Sequence, residues 1–422
     1  MSDGLDDWGG AEFALAADRL DTPDVIEAAD PGDMLRQVAS AAAQVRTAQR
    51  SCLEADLSAL TPDARPRAIV VAGMGGSGLA GEIMGAVTGV ASPVQIVTSR
   101  AERLPGWVGA ADAVIAVSPD GTTAETLAVA TEAARRGCRL AAVGAAGSPL
   151  HHIAVQARAP FVPVAAAVPP GSTLPRSMLW GLAIPLLVMA ERLGVARIGP
   201  DAYELAASRL EEVSHQCRPA SESFVNPGKS LALDLVGTVP VVWGTSVLSA
   251  VAARRFASQL SANAKYPAIA GVLPEATYNQ IMAFDGPFAP PAGPTPNAAR
   301  GEGMTADPRE TAPGIDGIGD LPSWDDYDTQ PDQLRGFTPL RLVLIADPGE
   351  DQRVGAQRAA ITELAAQRGI GLSELAMDGE HALVRLAGVI QLADYASVYL
   401  AIASGIDPGQ NAAVTDLQAR IE

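Results

Sequence analysis

Ala68-Ile-Val-Val-Ala-Gly-Met-Gly-Gly-Ser-Gly78 joins five apolar residues to a glycine-rich run, and the helix-forming pattern Leu79 to Val87 follows directly. This is the signature of a buried strand, a tight turn and a helix. Glycines let the backbone approach a ligand closely, and the free amides of the helix N-terminus point at negative charge. The run also superficially matches the dinucleotide fingerprint, which requires an acidic residue on the ribose about 20 residues further on. Here the next strand, Val94 to Val97, ends in Thr98-Ser99-Arg100, with no acid. A small phosphorylated ligand therefore fits better than NAD. The structural alternative is a tight turn that needs glycine and holds nothing.

Outward from this unit the pattern alternates. Strand-like runs at 68–72, 94–97, 113–117 and 139–143 are separated by helical segments, as in a parallel sheet covered on both faces. Upstream, Asp33 is placed to cap a long helix reaching about Ala55; downstream, a helix from about Pro175 to Leu193 closes the half. The scheme then repeats: Val239 to Trp243 reads as a strand, Gly244-Thr245-Ser246 opens a helix to about Leu260, and the strand Arg341 to Ala346 precedes a helix from Arg353 to Arg368. The fold class is α/β, in two halves of similar plan, each a parallel sheet flanked by helices. The expected organisation is a mobile start over 1–20, a first domain over 21–195 and a second over 196–422. Residues 286–337, rich in Pro, Gly, Asp and Thr, break the pattern and are expected to be a disordered insertion in the second domain. Its aromatic cluster Trp324 to Tyr327 reads as part of a solvated linker rather than a docking element.

Composition limits the function. The 422 residues carry a net charge of −18, which repels nucleic acid and anionic membrane surfaces. Any anionic ligand must then be captured by local amides and a few arginines, because Lys229 and Lys265 are the two lysines. Cys52, Cys138 and Cys217 have no paired spacing and imply reduced thiols, and His151, His152, His215 and His381 have no zinc-ligand spacing. No metal and no cofactor is expected. The acidic start lacks a signal peptide's basic and apolar regions, and the apolar stretch Met178 to Ala190 is too short to span a bilayer. The expected location is the cytoplasm.

A second strand-to-helix turn, Ser118-Pro-Asp-Gly-Thr-Thr-Ala-Glu-Thr126, offers hydroxyls and amides toward the same sheet edge as the first. With both loops in hand, the chain resembles a sugar isomerase (SIS) domain. Four further stretches narrow the resemblance to the bifunctional phosphoglucose/phosphomannose isomerase family: Leu174-Pro-Arg-Ser177, Ala262-Asn-Ala-Lys-Tyr-Pro267, Leu273-Pro-Glu-Ala-Thr-Tyr-Asn279, and the tail Asp394 to Pro408. It spans roughly residues 20–422 apart from the insertion. It implies two SIS domains, a homodimer whose active sites take residues from both chains, and interconversion of aldose and ketose 6-phosphates through an enediol without a metal. By this resemblance Gly75, Gly76, Ser77, Ser118, Asp120, Gly121 and Thr123 hold the sugar's phosphate, and Arg176 stabilises the enediolate.

The chain departs from the family pattern where protons move. Ala262 stands in place of the catalytic glutamate, Tyr278 in place of the ring-opening histidine, Gln418 in place of a lysine, and Asp120 in place of a serine in the second loop. General acid-base groups typically contribute about 10² to 10⁴-fold in rate. The leading expectation is thus a sugar-phosphate-binding protein with a degenerate catalytic site and a binding or regulatory role. The alternative is an active isomerase that uses Glu275 and Tyr278 as replacements. A nucleotide-dependent enzyme is disfavoured by the missing ribose-binding acid.

Overall fold

The computed structural model describes residues 6–164, 176–290 and 338–421. The chain opens with helices α1 (Asp6–Asp21), α2 (Pro23–Ala29), α3 (Met34–Ala39) and α4 (Ala41–Glu54), then alternates β1 (Ala68–Ala72), α5 (Gly75–Thr88), β2 (Gln95–Ser99), β3 (Ala113–Ser118), α6 (Ala124–Arg135), β4 (Arg139–Gly144), α7 (Pro149–Ala157) and β5 (Phe161–Pro163). Helices α8 (Leu179–Arg192), α9 (Pro200–Gln216) and α10 (Pro227–Leu235) lead into β6 (Val239–Gly244), α11 (Val247–Gln259), β7 (Ile269–Val272), β8 (Leu340–Ala346), α12 (Gln352–Gln367), β9 (Gly371–Ala376), α13 (Ala382–Ala403) and α14 (Ala412–Ile421). Two sheets result, ordered β2-β1-β3-β4-β5 and β7-β6-β8-β9, and the strand pairs run parallel.

Side-chain alternation divides each sheet between two cores. Ile69, Val71, Ile115 and Val117 of the first sheet and Val242, Val343 and Ile345 of the second face one continuous core, filled by α4, α5, α8, α9, α10, α11 and α13. The opposite faces carry smaller cores: Val70, Ala72, Val114 and Ala116 pack under α6 and α7, and Val241, Trp243, Leu342 and Leu344 pack under α12. The two halves therefore share their main core. Helix α13 lies at its centre, against α9, α10 and α11. It is long and apolar enough to cross a membrane by length and composition, but 94% of its apolar window is buried inside the protein.

One ion pair locks α13 to α11. Arg255, 3% exposed, donates to both carboxylate oxygens of Asp394, 5% exposed, at 2.8 and 2.7 Å, and its Nη2 also donates to the Arg176 carbonyl at 2.7 Å. Burial pushes the Asp394 carboxyl up, and the Arg255 guanidinium opposes it.

Several expectations need correction. The start is not mobile throughout: α1 packs on α13 and α10, and its Ala16 and Leu20 are buried. Asp33 does not cap a long helix. It sits in the left-handed region at φ 52°, and the buried Asp30 instead accepts from the Met34 and Leu35 amides at 2.8 and 2.9 Å. The expected helix is also divided at Ser40. Strands β5, β7 and β9 were not anticipated, for identifiable reasons. β5 has three residues, β7 contains Gly271 pressed against the Trp243 ring, and the edge strand β9 alternates exposed and covered positions. Residues 286–290 are tied to the second sheet, where Leu340 N donates to Phe288 O at 2.7 Å; the rest of the expected insertion, 291–337, lies outside the described residues.

Truncating one member of a buried ion pair leaves its partner charged and unpaired, at a cost of about 3–5 kcal/mol. Asp394→Ala is expected to lower unfolding free energy by that amount in urea denaturation, and adding Arg255→Met should restore part of the loss.

Candidate functional site

After β1 the chain crosses to β2 on one side, and it returns to place β3 on the other. The crevice at the C-terminal ends of β1 and β3 is therefore the switch point of the sheet, where α/β proteins form ligand sites. Its first wall is the glycine loop. A Cβ on Gly73 would stand 2.7 Å from Ser77 Cβ and 3.0 Å from Val117 O, so only glycine allows the two loops to meet here. Met74 is extended, Gly75 takes φ 50°, and α5 begins at Gly75, so the Gly75 and Gly76 amides are the first of the helix and have no acceptor within it. Ser77 lies buried in this first turn.

The second wall follows β3. Ser118 Oγ lies 2.9 Å from Thr123 Oγ1 and donates to Asp120 Oδ1 at 2.9 Å, while the Thr122 amide donates to the same Asp120 oxygen at 3.0 Å. Burial works to raise the Asp120 pKa, but the Thr122 amide and the two hydroxyls outweigh it and hold the carboxyl below its usual range. Asp120 is thus a carboxylate at neutral pH, occupying the Ser118 hydroxyl. Gly121 turns at φ 70°, and a Cβ there would lie 2.0 Å from Ser148 Oγ, the cap of α7. Gly75, Gly76, Ser77, Ser118, Asp120, Gly121 and Thr123 accordingly stand on adjacent loops at one sheet edge.

Arg176 belongs to a different cluster. Its Nη1 donates to Ala262 O and to Pro408 O, each at 2.9 Å. Lys265, in the left-handed region at φ 60°, donates to Ala262 O at 3.1 Å, Asn263 O at 3.0 Å and Asp407 O at 3.2 Å. Both cations are gathered between the π-helical turn Leu260–Ala264, which presents the Ala262 and Asn263 carbonyls, and the segment after α13, which presents those of Asp407 and Pro408; Asn263 anchors the turn through Ser397 Oγ at 2.9 Å. Burial pushes Arg176 below its ordinary pKa against the pull of Asp407; burial, and then Arg176, push Lys265 down.

The replacement candidates Glu275 and Tyr278 lie on a separate turn, the short 3-10 turn after β7; Tyr278 is 73% exposed, and Glu275 Oε1 accepts from Asn279 Nδ2 at 3.3 Å. Gln418 is exposed on α14. Among the described residues no group of three His, Cys, Asp or Glu gathers as a metal site.

The switch point of the second sheet carries a cluster that sequence reasoning missed. Ser246 Oγ donates to Asp347 Oδ2 at 2.6 Å, the Gly349 amide to Asp347 Oδ1 at 3.1 Å, and Arg385 Nε lies 3.0 Å from Asp347 Oδ1. Thr245 and Ser246 amides donate to Ser249 Oγ at 2.8 and 2.9 Å. The crevice between β6 and β8 is thus filled by the chain's own carboxylate. Gly244-Thr245-Ser246 after an apolar strand was the available signal, but Asp347 and Arg385 reach it from more than a hundred residues away.

Comparisons agree with this architecture. Residues 224–421 match the family model for the bacterial phospho-glucose isomerase C-terminal SIS domain. The bifunctional phosphoglucose/phosphomannose isomerase of Caldicellulosiruptor bescii is 24% identical over 341 residues, covering 81% of this chain and 85% of the relative. That of Thermoplasma acidophilum is 24% identical over 353 residues, covering 84% and 89%. In structure, a glucose-6-phosphate isomerase from Chlamydia trachomatis superposes with a TM-score of 0.62 at 13% identity, over 98% of this chain and 85% of that one, a likeness of fold alone. Two parallel sheets with loop-built crevices at their C-terminal edges define a phosphosugar isomerase-like SIS protein. Within that class, the chain is similar along most of its length to the bifunctional phosphoglucose/phosphomannose isomerases, and its second half carries the bacterial phospho-glucose isomerase C-terminal SIS domain.

At Gly121 the positive φ and the filled space leave no room for a methyl group. Overpacking typically costs about 1–3 kcal/mol, with about 1–2 more for a left-handed residue bearing a Cβ. Gly121→Ala should lower the urea midpoint accordingly, whereas Gly147→Ala, with open space at its Cβ but also a positive φ of 76°, should show the smaller backbone effect alone.

Proposed function

We propose that this protein binds a sugar phosphate in the crevice between the Gly73–Gly78 and Ser118–Thr123 loops and does not turn it over as an aldose–ketose isomerase, serving a binding or regulatory role. The phosphate is taken by the Gly75 and Gly76 amides, the Ser77, Ser118 and Thr123 hydroxyls and the backbone at Gly121. Arg176 supplies a guanidinium on the side where an enediolate would develop.

One observation carries this reading: Arg176 Nη1 stands 2.9 Å from Ala262 O. The position that in the family pattern supplies the base lies beside the arginine, and here it offers a methyl group. Enediol formation needs a group that removes a proton from carbon, and neither Arg176 nor a main-chain carbonyl does so at neutral pH. Tyr278 brings a phenol rather than an imidazole or a carboxylate, and it stands 73% exposed on the turn after β7. The Asp120 carboxylate weakens phosphate binding further. A carboxylate about 4 Å from a phosphate oxygen costs on the order of 1 kcal/mol per charge pair in water and about 4 at an effective dielectric of 20.

The purified protein is expected not to interconvert glucose, mannose and fructose 6-phosphates in a coupled assay. Asp120→Ser should tighten phosphate binding by about one to a few decades in titration calorimetry. Activity should emerge only in the combined variant Ala262→Glu, Tyr278→His, Gln418→Lys with Asp120→Ser. Turnover by the unmodified chain that is lost in Glu275→Gln would instead assign the chemistry to Glu275 and Tyr278.

The same reading includes a homodimer. Val414, Leu417 and Ile421 are exposed at helical spacing on α14, beside the Gln418 position, and a second copy would cover them. Sedimentation at micromolar concentration should give a dimer; a monomer contradicts this part.

A further inference from the structure

We propose that Arg100 reads the phosphate in the first crevice, exchanging its parked contact with Glu82 for the ligand; this rests on the sugar-phosphate reading above. The register places it there. Ala72 pairs with Ser99 on one side and with Ala116 on the other, so Arg100 and Val117 are both level with Gly73, one on each flank of the glycine loop. Adjacent strands are about 4.8 Å apart. Arg100 thus borders the loop on the β2 side much as Ser118 borders it on the β3 side.

The guanidinium lies on the loop itself. A Cβ on Gly78 would stand 2.7 Å from Arg100 Nε and 3.1 Å from its Cζ, so the missing side chain of Gly78 lets the guanidinium lie against the first turn of α5, next to Ser77. Its Nη2 donates to Glu82 Oε1 at 2.5 Å, and Arg254, reaching from α11 of the other half, donates through Nε to Glu82 Oε2 at 2.5 Å. One carboxylate therefore faces two guanidiniums, leaving an excess positive charge beside the glycine loop of an acidic protein.

The second arginine makes the exchange feasible. If Arg100 turned to a ligand and left Glu82 alone, a largely covered carboxylate would be stranded, which is costly. Arg254 keeps Glu82 paired, so Arg100 is released at little cost. A phosphate offers a guanidinium two parallel acceptors, a geometry that lysine cannot match.

Titration calorimetry with glucose 6-phosphate and with inorganic phosphate tests the assignment on the full-length wild-type chain and the variants Ser77→Ala, Arg100→Gln, Arg100→Lys and Glu82→Gln. Arg100→Gln should weaken both probes by about 10- to 100-fold, the worth of a hydrogen bond to a charged group, and Arg100→Lys should recover only part. Glu82→Gln should act in the opposite direction and tighten binding, because it frees the guanidinium. A purely structural ion pair would make Arg100→Gln and Glu82→Gln shift affinity together, and that result overturns the proposal, as does indifference to Arg100→Gln. If Arg100→Gln fails to fold by circular dichroism, the Arg100→Lys and Glu82→Gln pair decides by the same opposition of sign. Binding that Ser77→Ala weakens but the Arg100 variants leave unchanged overturns this inference alone. No binding of either probe by the wild type overturns the sugar-phosphate reading, and the inference with it.

Discussion

The Arg255–Asp394 ion pair is the contact on which the rest of the structure depends. It lies in the core shared by both sheets, joins α11 to α13, and through Arg255 Nη2 also holds the main chain at Arg176. A charged pair so deep is stabilising only when its hydrogen bonds are filled, and its geometry specifies how the elements meet more than it adds net stability. Its position explains why the two halves cannot be treated as separate sites joined by a linker. Arg176, which follows the first half's last strand, is held by the second half: its guanidinium rests on carbonyls of the π-helical turn and the C-terminal tail.

Both sheets build a crevice at their switch point, and in both an aspartate is hydrogen-bonded to a serine hydroxyl. In the second half the aspartate is also neutralised by Arg385, and the crevice is closed by the chain itself. In the first half Asp120 is held by the Ser118 hydroxyl and by the amide and hydroxyl of Thr122, and the glycine loop opposite keeps its helix amides. The asymmetry leaves the first crevice with unpaired helix amides and fills the second with the chain's own ion pair. It also shows how a positive potential is kept in an acidic protein: by backbone amides and by arginines shared on a single carboxylate.

Much of this was legible in the sequence because the informative residues were local. Apolar runs ending in Gly-rich or Ser/Thr-rich turns located β1, β3, β6 and β8, and the same turns located both walls of the first crevice. What the sequence hid were long-range partners. Asp30 rather than Asp33 caps α3 because the chain turns left-handed at Asp33 and brings the earlier carboxylate under the helix. Arg100 looked like a missing acid, and its relation to Gly78 exists only once β2 lies beside β1. Asp347, Arg385 and Asp394 carry no local signal, since their meaning comes from segments distant in sequence. The edge strands β5 and β9 were obscure because partly exposed edges dilute the apolar pattern.

The central claim is that the crevice captures a sugar phosphate beside a position that has lost its proton-transfer group. Its most direct test is to incubate the protein at high concentration with glucose 6-phosphate in deuterated buffer and follow deuterium at C2 by mass spectrometry. Enediol formation moves the C2 proton to a base, and wherever that base exchanges with solvent before returning it, deuterium enters at that carbon even when no product is released. The account predicts saturable binding with no deuterium above the protein-free control; incorporation at C2 that follows site occupancy would contradict it.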